Sequence, residues 1–105
     1  MSKKYIAVIL YESSSDADGY KPMYEESYVE IIAQSEADAR KKAAELMRSR
    51  ETSFENKDGN QITWKSNQIV DVAEVLDDSN VDIREIYSRH FHNLEAYKSM
   101  EVLAK

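Results

Sequence analysis

Apolar residues fall along the chain in two rhythms, and the change of rhythm marks the elements. Tyr5 to Glu12 is apolar on both alternating sets, Ile6, Val8 and Leu10 on one side and Ala7, Ile9 and Tyr11 on the other. A strand of that kind lies centrally, covered on both faces. Ser13 to Met23 follows with one of the two glycines and the only proline, a connection long enough to suggest function or mobility. Tyr24 to Ala33 alternates again: Val29, Ile31 and Ala33 form a face that should meet a helix, opposite Tyr24, Glu26, Tyr28 and Glu30.

At Ser35 to Arg50 the period becomes helical. Ala39, Ala43, Leu46 and Met47 form one narrow stripe, with Asp38, Lys41, Lys42 and Glu45 on the far side. Ser35 stands at the N-cap, Asp38 completes an S-x-x-D variant of the capping box, and Glu36 adds negative charge at the positive end of the dipole. Two alanines in the stripe admit a backbone close by, which suits a helix lying on a sheet.

Thr52 to Asn56 and Gln61 to Lys65 flank Lys-Asp-Gly-Asn and read as a hairpin. A three-residue loop with Gly59 left-handed pairs Phe54 with Ile62, placing Phe54, Ile62 and Trp64 on one face, whereas a two-residue Asp58-Gly59 turn would pair Phe54 with Thr63. Asn67 to Leu76 is a further strand whose apolar parity switches, implying a bulge near Asp71 to Glu74. Asp77 to Asn80 reads as a turn and Ile83 to Phe91 as a last strand, and Asn93 can cap a closing helix with Leu94, Tyr97 and Met100 on one face. The expectation is one α+β domain over residues 1–105, order β-β-α-β-β-β-α, with a single mixed or mainly antiparallel sheet. The Ser35 helix would be the crossover between the second and third strands, right-handed if those strands are parallel.

Composition narrows what such a domain can do. Its 105 residues suit a single core. Charged residues make up 32% and apolar ones 42%, a globular balance. The net charge of −6 with scattered basic residues disfavours binding to phosphate backbones. There is no cysteine, which removes disulfides, thiolate zinc sites and thiol nucleophiles. The lysines before the first apolar run faintly imitate a signal peptide, but the run is short and reads as a strand. No segment approaches twenty apolar residues, so the expectation is a cytoplasmic protein outside the membrane.

Candidate chemistry is sparse. His90 and His92 form an H-x-H that on a strand would set both imidazoles on one face about 7 Å apart, within reach of one metal, with Glu25, Glu26 or Glu55 as third ligand. Two ordinary histidines before a helix cap account for the same pattern. Ser14, Asp16, Asp18, Gly19 and Glu25 partly match a calcium-loop template, though serine opens it, Pro22 interrupts it and strands flank it. A solvated acidic loop is the plainer explanation. Arg89 and His90 with Glu25, Glu26 and Glu55 could hold and protonate an anionic substrate, or Arg89 could simply pair with Glu25 or Glu26. No glycine-rich phosphate loop and no nucleophile-elbow serine is present. Seven tyrosines and Trp64 supply area with a polar tip, as strand propensity and binding surfaces both favour.

The stretches Tyr24-Glu25-Glu26, Phe54-Glu55-Asn56, Trp64-Lys65, Asp71-Val72 and Ser88-Arg89-His90-Phe91 with Asn93-Leu94 resemble an uncharacterised family of small bacterial proteins known by a domain-of-unknown-function label. The resemblance implies a shared fold and a shared polar set, and brings no reaction, ligand or partner. The reading is therefore a non-catalytic binding or protein-interaction module, homodimeric, without a cofactor, whose patch draws on Glu25, Glu26, Glu55, Asn56, Trp64, Arg89 and His90. A protein or a small anion is the expected ligand. The alternative is a small enzyme using His90 and a glutamate as acid and base on an anionic metabolite held by Arg89.

Overall fold

The computed structural model describes residues 2–76 and 82–104. Strand β1 (Lys3–Ser15) buries Tyr5, Ala7, Ile9 and Tyr11 on one face and Ile6 and Val8 on the other, so only a central position satisfies it. It has one. The sheet order is β2-β1-β4-β3, with β2 (Tyr24–Ala33), β3 (Thr52–Glu55) and β4 (Gln61–Glu74), and every neighbouring pair is antiparallel.

Helix α1 (Glu36–Ser49) follows β2. The Ser35 side chain accepts from the Asp38 amide at 3.1 Å, and the Asp38 carboxylate reaches back to the Gln34 amide at 3.1 Å. Both ends of the expected capping exchange are thus present, with the return bond one residue earlier than in the usual box. The Gln34 bond, more than the nearby Lys42 ammonium, holds the Asp38 carboxyl below its usual range. Ala39 and Ala43 are fully buried against the sheet, and Leu46 and Met47 pack beside them on Tyr5, Ala7, Ile9, Ile31, Ala33 and Val72.

Because β2 and β3 are opposite edges running antiparallel, α1 must cross the sheet. Four strands set their outer members about 14 Å apart, and fourteen helical residues span about 21 Å, enough for a diagonal path. The right-handed crossover expected for parallel strands does not arise, since its condition is not met.

Gln61 to Lys65 and Asn67 to Leu76, read separately in the sequence, are one strand that ends at Glu74. Its parity switches where β1 pairing skips Val70 and again where it skips Asn67. The expected bulge near Asp71 to Glu74 is therefore displaced toward the middle of β4. Each inserted residue exchanges the faces, which brings Val72, then Ile69, then Trp64 and Ile62 onto the side that α1 covers. The hairpin register is the three-residue one: Phe54 faces Ile62, Gly59 has φ +83°, and the Asn56 carboxamide accepts from the Asp58 and Asn60 amides at 3.0 and 2.9 Å.

Ser13, Ser14 and Ser15 belong to β1 instead of the connection. Buried Ser13 uses its whole hydroxyl capacity, accepting from the Met23 amide at 2.8 Å and the Tyr20 hydroxyl at 2.6 Å and donating to the Met23 carbonyl at 3.4 Å. The 16–23 turn is thereby tied to the strand it leaves.

Ile83 to Phe91 is not a strand. It runs without regular structure over the sheet face that α1 leaves open. Val8 has Tyr28 and Asp71 as its cross-strand partners. Tyr87 meets the Tyr28 ring edge-on at 5.8 Å and donates its hydroxyl to Asp71 at 2.7 Å, which puts its ring over Val8. The segment acts as a strap, and burial of Ile6 and Val8 takes precedence over strand pairing. The Asp77 to Asn80 turn lies outside the described residues. Helix α2 (Leu94–Met100) is capped by Asn93, whose side chain accepts from the Ala96 amide at 3.0 Å, and none of its residues is buried. Among the described residues the chain is thus α+β with one antiparallel sheet and two helices, order β-β-α-β-β-α, one element fewer than the seven-element order expected. Among the described residues no helix is long and apolar enough to cross a membrane.

Two outcomes follow for stability. Ala43→Leu forces a larger side chain between helix and sheet and should cost about 1–3 kcal/mol in urea denaturation, whereas Ala37→Leu, on the exposed side of the same helix, should be near neutral. Partial burial, then the bond to Asp71, push the Tyr87 hydroxyl from its ordinary 10 up to about 12. The fold holds the protonated phenol, so its contribution is whole below pH 10 and lost as pH rises toward 12. Tyr87→Phe should cost about 1–2 kcal/mol near neutrality and lose less stability than the parent between about pH 9 and pH 11.5, read from urea midpoints at both pH values.

Candidate functional site

Adjacent residues on a strand face opposite ways, and this decides the fate of the polar set. Glu25 pairs with Tyr11 and so lies on the helix face, whereas Glu26 pairs with Leu10 and lies on the strap face. Arg89, at the end of the strap, joins Glu26 and Tyr28 around a cavity of about 260 Å³, with Phe91, Tyr97 and Met100 on its other side. Tyr28 donates to Glu26 at 2.7 Å. That bond is the main cause of the raised Tyr28 pKa, and the nearby Arg89 charge opposes it.

His90 and His92 are exposed and lie with Arg89 along an open crevice of about 710 Å³ between the strap and α2. The expected strand that would have set both imidazoles on one face is absent, because residues 83–91 have no regular structure. Phe91 stacks on Tyr97 at 4.9 Å with the rings 10° apart, and this stack joins the strap to α2.

Trp64 and Glu25 meet on the helix face instead. They line a cavity of about 220 Å³ with Tyr11, Arg50 and Thr52, beyond the C-terminal end of α1. Glu55 and Asn56 sit apart, at the end of β3 and the start of the hairpin loop. Asn56 is occupied in holding that loop.

The seven patch residues are therefore distributed over three places: Glu26, Arg89 and His90 on the strap side, Glu25 and Trp64 on the helix side, Glu55 and Asn56 at the hairpin. Of the calcium-loop candidates, Asp16 accepts from the Gln61 amide at 2.9 Å and so ties the turn to the start of β4, while Asp18 is exposed. Ser14 is a strand residue, and Glu25 faces the Trp64 cavity. Among the described residues no three His, Asp or Glu side chains converge in a group that could hold a metal ion.

Arg50 and Thr52 do not stand out in the sequence as site residues, and Asp71 stands out only in the family resemblance and at the expected bulge. The signals were available in part: Tyr11 shares its alternation with the core, and Arg50 is the residue on which the helical pattern ends. What could not be read was that the second bulge of β4 turns Trp64 toward Tyr11.

No curated protein and no solved structure matches this chain. One family model does, over residues 4–88, which takes in all of the sheet but Lys3, α1 and the strap as far as Ser88 and leaves α2 outside. On that match the chain belongs to the family described as Domain of unknown function (DUF4288).

Proposed function

We propose that this protein is a non-catalytic interaction module whose partner is a second copy of itself, joined through the strap face and α2. The observation that carries the reading is that α2, which meets the strap through the Phe91–Tyr97 stack, has no buried residue of its own and presents apolar side chains. Leu94 is 53% exposed and Met100 65%, with Val102 and Leu103 beyond them above 80%. Soluble chains rarely leave so many neighbouring apolar side chains in water without a use.

The same chemistry recurs on the sheet. Tyr24 and Ile32 stand exposed along β2 on the strap face, beyond the area that Tyr87 covers, and Tyr28 is half exposed beside the Tyr87 ring. The radius of gyration is 17.1 Å, against about 13 Å for a compact chain of this length, so the chain exposes more surface than a compact fold of its size. A two-fold pair in which each copy's α2 lies on the other's β2 would cover both surfaces at once, and self-complementary patches are what such symmetry requires. A nucleic-acid partner is disfavoured by the charge of −6. The enzymatic alternative wants a glutamate poised beside His90, and His90 shares its crevice with Arg89, His92 and Asn93 instead.

Sedimentation equilibrium tests the reading. The parent chain should dimerise at micromolar concentration, and Leu94→Glu with Met100→Glu should weaken the dimer at least about tenfold without shifting the urea midpoint taken at a concentration where the parent is monomeric. Since each copy carries net negative charge, added salt should tighten the association by screening. A parent chain that stays monomeric at about 100 μM, or a double variant that dimerises as well as the parent, would remove the proposal.

A further inference from the structure

We infer that the helix-face cavity is a binding site for a small zwitterion of the α-amino acid class. The site is distinct from the strap-side surface and lies on the opposite face of the sheet. Its construction follows from the strand order. Tyr11 on β1 and Trp64 on β4 are contributed by the two central strands, and their edge-strand partners Glu25 on β2 and Thr52 on β3 flank them. Arg50 closes the α1 end. The arrangement is an aromatic base between a carboxylate on one side and a guanidinium with a hydroxyl on the other.

Tyr11 points to an occupant. It is 4% exposed, and its hydroxyl is buried without a hydrogen-bond partner among the described residues. Such a group carries the full cost of lost hydration, which a ligand that reaches it with a donor or acceptor would relieve. The surrounding frame is held in advance: the Glu51 carboxylate accepts from the Ser66 amide at 3.1 Å and the Ser66 hydroxyl at 3.0 Å, and Ser66 faces Tyr11 across the ladder. That clamp fixes the Arg50–Thr52 corner against β4.

The opposed charges define the ligand class. A guanidinium binds a carboxylate through paired bonds, and Thr52 can add a third. Glu25 suits an ammonium, and the Trp64 ring favours a cation nearby. A simple anion would leave Glu25 opposing it, and a simple amine would leave Arg50 opposing it. At about 220 Å³, with about 30 Å³ per water displaced, the space suits roughly seven to ten non-hydrogen atoms, the size of leucine.

Trp64 is the sole tryptophan, so its emission reports occupancy directly. The full chain would be titrated with L-alanine and L-leucine, and with the half-molecules 4-methylpentanoate and isopentylamine. A saturable change with leucine, absent with both halves, is expected. Arg50→Gln and Glu25→Gln should each weaken leucine binding about tenfold or more. Tyr11→Phe should also weaken it while leaving the ligand-free melting temperature unchanged or higher, which separates binding from folding. Emission that does not move up to about 10 mM leucine, a half-molecule that binds as well, or charge variants that bind like the parent would overturn the assignment. None of these readouts depends on whether the chain dimerises.

Discussion

The fold depends on a single strand that has no solvent face. Five consecutive residues, Tyr5 to Ile9, are buried, so β1 needs a neighbour on each edge and a cover on each side. The antiparallel neighbours β2 and β4 meet the first need. The covers are unequal. Helix α1 closes one side with two alanines against the sheet, a close fit that permits little variation. Among the described residues the other side is covered by the strap, held over Val8 by a ring contact and a phenol-to-carboxylate bond. The open surfaces of the molecule follow from that inequality: α1 stops short of Tyr11 and Trp64, and the strap leaves Tyr24 and Ile32 uncovered.

What the sequence disclosed was local in origin. The Ser35 cap, the alanine stripe, the two faces of β2 and the Gly59 register each depend on residues within a few positions of one another, and all are present in the fold. The central place of β1 was legible too, because double-sided apolarity admits few other positions. The strand order was not. Nothing near α1 announces that it must cross to the far edge, since that depends on β4 pairing with β1 over some sixty residues. The bulges escaped for a related reason. Val70 and Asn67 are displaced to suit the faces of β1, and the apolar switch seen downstream of them is only a consequence. Ile83, Tyr87 and Phe91 have strand spacing, yet Tyr87 covers Val8, Phe91 stacks on Tyr97 and Ile83 stays exposed, and none of these roles demands a ladder.

The polar set shows the same limit more sharply. Glu25 and Glu26 are neighbours in sequence and belong to different faces, so a patch drawn from both cannot be one surface. Asn56 read as a surface group and is spent on its own turn. Arg89 and His90 do stay together, because they lie on the irregular strap where no alternation separates them.

Two buried hydroxyls on one face of β1 make the final comparison. Ser13 and Tyr11 are two residues apart, similarly buried, and both are surrounded by polar groups. Ser13 draws in Tyr20 and the Met23 backbone until all its bonding capacity is filled. Tyr11 has Glu25, Arg50 and Thr52 about the same cavity and bonds to none of them. A shortage of partners does not account for the difference, since Glu25 is its cross-strand neighbour. The serine is satisfied because the turn it anchors needs a fixed geometry. The tyrosine sits where the helix has ended and the sheet continues, at a wall that the chain's own side chains flank without filling. An unmet hydroxyl there costs the fold stability, and a cost borne at a concave site lined by opposite charges is what a ligand-binding surface entails.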